Sequence, residues 1–336
     1  MGNWLGRLLR TTPAGASPPA AAAARVPAAS PPAESAAAAW HASLDVDGLY
    51  ASWLLGQPQG AGEAPDGAER AWLDAFATRA AAPSAAALIP RVPAVVPQLL
   101  HTLRDPSRPM NVLARQLAQD PVLVAGVLKL ARSPFYGLSR PVTSLEQALL
   151  VIGQDGLRQM LASLAFKPIV NLQGGEFTGR GAPRVWDQSE RCGLACQVLA
   201  PTTGASPFEA FLAALLESVG LVVVLRLADQ GPPPTASRLS MQACRTLLRH
   251  ARLLGVTIGR QWSFPDTVTE AVAAREAGQR AEVVGALADL LRMSMDISIL
   301  RVLADAGVIA ADDARLDIAA HPALERCFQM LDAAPA

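Results

Sequence analysis

Glu217 is the residue that most demands a chemical explanation. It stands in the run Ala213-Ala214-Leu215-Leu216-Glu217-Ser218-Val219-Gly220, a stretch apolar enough to be buried. A carboxylate taken out of water needs a partner. Arg191, Arg226 and Arg275 are the candidate cations. The expectation is a buried ion pair rather than a catalytic acid, so Glu217→Ala should destabilise the fold. Cys192 and Cys196 lie four apart on a predicted helix and share a face. Two thiolates could begin a zinc site, but no second Cys/His pair stands at ligand spacing, and they read as buried small residues. His41, His101, His250 and His321 follow no HExxH or HxxxH pattern and read as solvent-facing or satisfied core histidines. There is no Gly-x-Ser-x-Gly elbow. Gly174-Gly175 and Gly179-x-Gly181 lack a lysine and a strand–loop–helix setting, so they read as a flexible connection and not as a phosphate loop.

The elements that must position these residues are helical throughout. Residues 11–39 are alanine, proline and serine with almost no large side chains, and residues 1–39 are expected to form a disordered tail. Leu49, Tyr50, Trp53 and Leu54, then Trp72, Leu73 and Phe76, recur at helical spacing and predict two short helices within 40–82. Their aromatic stripes are expected to dock on the main body, with capture of a partner helix as the alternative. From Leu88 the helical pattern is continuous. Asp120-Pro121 reads as an N-cap and first helical position, with Leu123, Val124, Val127, Leu128 and Ala131 as that helix's buried stripe. Ser133-Pro134 ends it, and Phe135-Tyr136-Gly137 forms an aromatic turn. Ser144-Leu145-Glu146-Gln147 reads as a capping box whose helix runs to Gly153. Further helices are predicted over 155–166, 185–200, 207–229, 241–261, 265–277 and 281–291. Strand alternation is scarce, and the fold class is all-α.

Composition narrows the function. Lys+Arg and Asp+Glu are 29 each in 336 residues, so no net charge draws the chain to nucleic acid or anionic lipid. No run reaches the roughly 18–20 consecutive strongly apolar residues of a membrane span. Met1 to Arg10 is short, apolar and basic, but Thr11 to Ser17 is polar and small, so a signal peptide is not expected. Four cysteines are too few and too dispersed for a disulfide framework. The expectation is a cytoplasmic protein without stable membrane insertion.

Several pieces of Leu88 to about Gly285 occur in an order that resembles the HDOD family, the HD-related output domain of bacterial signalling proteins. They are the proline-punctuated entry at Pro90, Pro93 and Pro97, the Asp120-Pro121-Val122-Leu123 helix start, Ser133-Pro134-Phe135-Tyr136-Gly137, and Pro141-Val142-Thr143-Ser144-Leu145-Glu146-Gln147-Ala148 leading to a glycine. Trp186, Ala213 to Leu216 before Gly220, Gly255, and Trp262 with Pro265 extend the likeness. The resemblance implies an HDOD-like helical domain at 88–285; outside it the residues themselves suggest a tail at 1–39, a short helical extension at 40–82 and a C-terminal helical extension at 286–336.

Related HD hydrolases hold metal through a histidine on the Trp186 helix, a His-Asp pair before the glycine, and later histidines. The comparable positions here are Gln188, then Glu217-Ser218, then Arg275-Glu276; His250 falls beside a family histidine, with Ala251 aligned to it. This degenerate set is not expected to hold a catalytic ion. The resemblance therefore implies a module without cofactor or catalytic residues. It would act by protein–protein interaction with a histidine kinase, a response regulator or a cyclic-dinucleotide enzyme. Phe135 and Tyr136 are the candidate partner-binding residues, packing being the alternative for that turn. Two other functions remain open: an HD-type metal-dependent phosphohydrolase acting on a nucleotide or cyclic dinucleotide, and a small-molecule sensor using the degenerate pocket.

Overall fold

The structure, a computed structural model, describes residues 40–56, 64–82, 144–170, 174–231, 239–277 and 285–332, with isolated positions between 88 and 142. The tail, the Asp120 cap, His101 and the turn carrying Phe135 and Tyr136 lie outside the described residues. Nine α-helices and no strand occur among the described residues. They are α1 (Val46–Leu54), α2 (Gly67–Ala81), α3 (Leu145–Val170), α4 (Glu176–Thr203), α5 (Pro207–Gln230), α6 (Met241–Gln261), α7 (Asp266–Ala277), α8 (Ala286–Asp305) and α9 (Pro322–Asp332).

α5 is the axis of the molecule. Ser206 caps it by accepting from the Glu209 amide, and Pro207 takes the first turn, where a missing N–H costs nothing. Nearly every side chain from Phe208 to Ala228 is buried. Against the expectation that no run is long and apolar enough for a membrane span, one 18-residue window of α5 has mean hydropathy 2.1 and passes by length and composition, yet 94% of that window is covered by the rest of the protein. A helix hydrophobic on all sides fits the interior of a bundle. α4 and α6 flank it, α3, α7 and α8 also pack on it, and α8 lies along α4.

The two N-terminal helices dock as their stripes predict. Tyr50, Leu54 and Phe76 are fully buried, and the Trp72 indole donates to the Gly231 carbonyl at 2.8 Å. Asp45 and Asp66 cap α1 and α2. Val127 and Ala131 are buried on the stripe assigned to them. Ser144 accepts from the Gln147 amide at 3.2 Å, which supplies the first half of the capping box. The break predicted at Gly153 is a kink with φ of 69°, a conformation that favours glycine.

Two expectations of the helix pattern are overturned: the helix expected over 281–291 runs over Ala286–Asp305, and an expected connection is helical. The segment Gly174 to Gly181, read as a flexible connection, is the start of α4 from Glu176 onward. No local side chain caps this end. Instead Asp229, at the far end of α5, accepts from the Phe177 and Thr178 amides at 2.7 and 3.1 Å. Gly181 lies where a Cβ would meet Leu225, so its lack of a side chain lets α4 close on α5. Asp229→Ala is expected to cost about 1 kcal/mol, as other lost N-caps do. Amide exchange at Phe177 and Thr178 should accelerate with it; unchanged protection there would mean the helix start is held by something else.

Candidate functional site

Five helices converge beside the middle of α5. α5 contributes Glu217 and Ser218, α4 Gln188, α6 Arg252, α7 Arg275, α8 Met295 and Asp296, and α1 Asp47 and Tyr50. Most of these line a cavity of about 20 Å³, which has room for roughly one water molecule. Two of these residues flank a close helix crossing. Glu217 sits one turn before Gly220, where α5 and α6 cross closely, and Arg252 sits one turn before Gly255 on the other side of that crossing.

The polar core is a charge cluster. Glu217 Oε2 lies 3.4 Å from Arg252 Nε and 3.4 Å from Arg275 Nε. Arg252 holds Asp47 in a two-pronged pair, both contacts at 2.7 Å. Arg275 reaches Asp296 at 2.9 Å and Asp47 at 3.6 Å. The Arg252, Arg275 and Glu217 side chains are at most 10% exposed. Burial pushes Arg275 towards its neutral form, but the charges of Asp296, Glu217 and Asp47 overcome it and raise its pKa. Arg252 behaves alike: burial and Arg275 lower its pKa, and Asp47 and Glu217 more than restore it. Both stay charged. Three buried polar atoms of the cluster, Glu217 Oε1, Tyr50 Oη and Arg275 Nε, have no hydrogen-bond partner within the protein. A second, uncharged network lies beneath. Gln188 donates to Ser298 Oγ at 2.8 Å, and the hydroxyls of Ser189 and Ser218 meet at 2.6 Å.

Of the five positions compared with HD-type ligands, Gln188, Glu217, Ser218 and Arg275 come together around the cavity. Glu276 does not. Neighbours on a helix point about 100° apart, and Glu276 faces outward to Arg249 at 2.7 Å. Of the three cations offered for Glu217, only Arg275 reaches it. Arg191 pairs with Asp305 and Asp187, and Arg226 donates to the Leu88 carbonyl at 2.9 Å. Cys192 and Cys196 are wholly buried, with Cys192 Sγ 3.5 Å from Met295 Sδ. Burial, then Cys196, pushes the Cys192 thiol well up, so it stays protonated. His250 packs beside the Phe76 ring, and burial, helped by Arg249, lowers its pKa.

Sequence reasoning missed Arg252, Asp47, Tyr50 and Asp296. Arg252 had a signal, since it directly follows Ala251, the residue aligned to a family histidine. Asp47 had only the acid pair Asp45-x-Asp47 leading into an aromatic stripe. Burial would raise the Asp47 pKa, but Arg252 above all, with Arg275 and Arg245, draws it down to about 2. A carboxyl with a depressed folded-state pKa contributes stability above its unfolded value and loses it as pH falls through the folded one. The contribution is therefore complete above about pH 5 and is lost between about pH 4 and pH 2. Since 30% of that side chain is exposed, solvent screening trims it to about 1–2 kcal/mol. Urea midpoints of Asp47→Asn and the parent should differ most at pH 7 and converge towards pH 2; a gap that is constant with pH would contradict this pairing.

The fold and the site define an all-helical HD-like domain with arginines standing among its carboxylates. The HDOD domain model matches residues 89–277, more than half of the chain, and the protein belongs to the HDOD domain family. Solved structures share the fold. A Shewanella amazonensis SB2B protein, provisionally named a metal-dependent phosphohydrolase, superposes with a TM-score of 0.55 at 20% identity, covering 80% of this chain and 99% of that one. An HDOD domain protein of unknown function from Geobacter sulfurreducens gives 0.50 at 20% identity, covering 78% and 88%. An uncharacterized Treponema pallidum (strain Nichols) protein is 22% identical over 198 residues, which is 55% of this chain and 37% of that protein's length.

Proposed function

We propose that this protein is a non-enzymatic signalling module of the bacterial cytoplasm that works by binding another protein of a signal-transduction pathway, such as a histidine kinase, a response regulator or a cyclic-dinucleotide enzyme. The observation that carries this reading is the pair of guanidiniums, Arg252 and Arg275, on the carboxylate of Glu217. A divalent cation needs several anionic or imidazole donors converging on one point. Here the carboxylate already faces two fixed positive charges, Gln188 donates its amide to Ser298, and Ser218 is engaged with Ser189. No group of three or more His, Cys, Asp or Glu side chains is placed to hold a metal among the described residues. The residues present do not fit a catalytic ion. The cavity's about 20 Å³ also argues against a nucleotide ligand, since small-molecule pockets run to roughly 300–1,000 Å³.

The test has two arms on the purified full-length chain. Elemental analysis and hydrolysis of bis-p-nitrophenyl phosphate with added manganese or iron should both give background values. Affinity capture from native lysate should return a kinase, response regulator or cyclic-dinucleotide enzyme reproducibly. Near-stoichiometric metal with metal-dependent turnover would replace this reading with the hydrolase one.

A further inference from the structure

The segment from Trp40 to Leu55 is bound to the helical body much as a short peptide is bound to a protein. Tyr50, Ala51, Leu54 and Leu55 are buried in a seat made by α4, α6 and α8. Around that apolar contact, the Trp40 indole donates to the Leu316 carbonyl at 3.0 Å, and the other side-chain polar grips come from arginines of the body. Arg245 holds Asp45 at 2.8 Å and Arg252 holds Asp47. Arg180 donates to the Leu55 carbonyl at 2.8 Å, and Arg184 donates to the Trp53 carbonyl while its guanidinium lies 4.5 Å over the Trp53 ring. Arg292 donates to the Trp40 carbonyl at 2.6 Å. Residues 42–56 carry two aspartates and no lysine or arginine, so the charge complementarity runs one way. Aromatic anchors, arginines and a small charged rim are the anatomy of a protein–protein interface.

At its deepest point the segment brings Tyr50 beside Glu217, and the two side chains line the same cavity of about 20 Å³, which has room for roughly one water molecule.

We infer that the seat under α1 is a docking groove for an acidic amphipathic helix of a partner protein, held in cis by α1 through Asp45, Asp47 and Tyr50 and entered by displacing it. This rests on the protein-binding reading above and names its surface. A tethered helix acts at an effective concentration on the order of millimolar. The partner must bind tightly enough to overcome that, which makes α1 a threshold on binding.

The test uses the full chain with a protease site introduced between Gly56 and Ala64, cleaved after folding, and a fluorescein-labelled peptide of residues 40–56. The nicked protein should remain folded and exchange its α1 for the labelled peptide. The same peptide carrying Asp45→Ala and Asp47→Ala should compete at least tenfold more weakly, and added salt should weaken the parent peptide more than the double variant. The intact chain should take up far less label. Irreversible unfolding on nicking, no exchange, or equal competition by the two peptides would overturn the inference. So would dimers formed by trading α1, which would assign the groove to a second copy. The outcomes separate from those of the functional reading. A signalling partner captured by a chain that does not exchange α1 sinks only the groove, whereas exchange accompanied by metal-dependent turnover sinks only the non-enzymatic reading.

Discussion

Arg275→Leu is expected to lower the stability of the folded chain by about 3–5 kcal/mol, the range for removing one partner from a buried ion pair. Its side chain is 5% exposed and stands among Glu217, Asp47 and Asp296. Without it, Glu217 keeps only Arg252, which is already committed to Asp47, and Asp296 loses its ion pair. Glu217→Ala should cost less, because both arginines keep a carboxylate: Arg252 keeps Asp47, and Arg275 keeps Asp296. The double variant decides whether the pair is coupled. Removing Glu217 in the Arg275→Leu background deletes a carboxylate that has lost a counter-charge, so part of the loss should return. Urea midpoints of the parent, both single variants and the double variant complete the cycle. Strict additivity would mean that Glu217 and Arg275 do not interact, and the charge cluster would lose its centre.

How far the sequence reveals this arrangement depends on the range of each interaction. The limits of α5, α6 and α7 are legible because their caps are local: Ser206 before Pro207, Ser240 before Met241, and a proline before Asp266. The start of α4 is not legible, because its cap is Asp229, fifty-two residues away. α8 is shifted for another reason. The pattern predicts a helix over 281–291, but the element runs from Ala286 to Asp305 and is buried on nearly every side, so it carries no stripe to read. The same division holds at the site. Gln188, Glu217, Ser218 and Arg275 could be located because each departs from a family pattern at a fixed place. Asp47 could not. It belongs to a segment outside that pattern, and only the packing of α1 against α6 brings it to Arg252.

Gly220→Ala should be strongly destabilising, although alanine is the better helix former by about 1 kcal/mol. A Cβ at Gly220 would lie 2.1 Å from the Ala251 carbonyl oxygen and 2.9 Å from the Gly255 nitrogen. From the other side, a Cβ at Gly255 would lie 2.9 Å from the Leu216 carbonyl oxygen. These are backbone atoms of packed helices, so no side-chain rotation relieves the clash and α5 and α6 must separate by about 1 Å. Overpacking of this kind costs about 1–3 kcal/mol and at times more, and strain at two backbone contacts places Gly220 at the upper end. The clash term therefore exceeds the propensity gain. Gly179 supplies the control: it is helical and exposed, and a Cβ there would meet nothing within 4 Å. Gly179→Ala should stabilise by about 0.5–1 kcal/mol. The opposite signs of two identical substitutions isolate the crossing from helix propensity. The crossing also sets the reach between Glu217 and Arg252, each one turn away from it. Their coupling energy, measured by the same double-mutant cycle, should fall in the Gly220→Ala background. If it holds while stability drops, the ion pair does not depend on the close approach, and the two glycines serve packing alone.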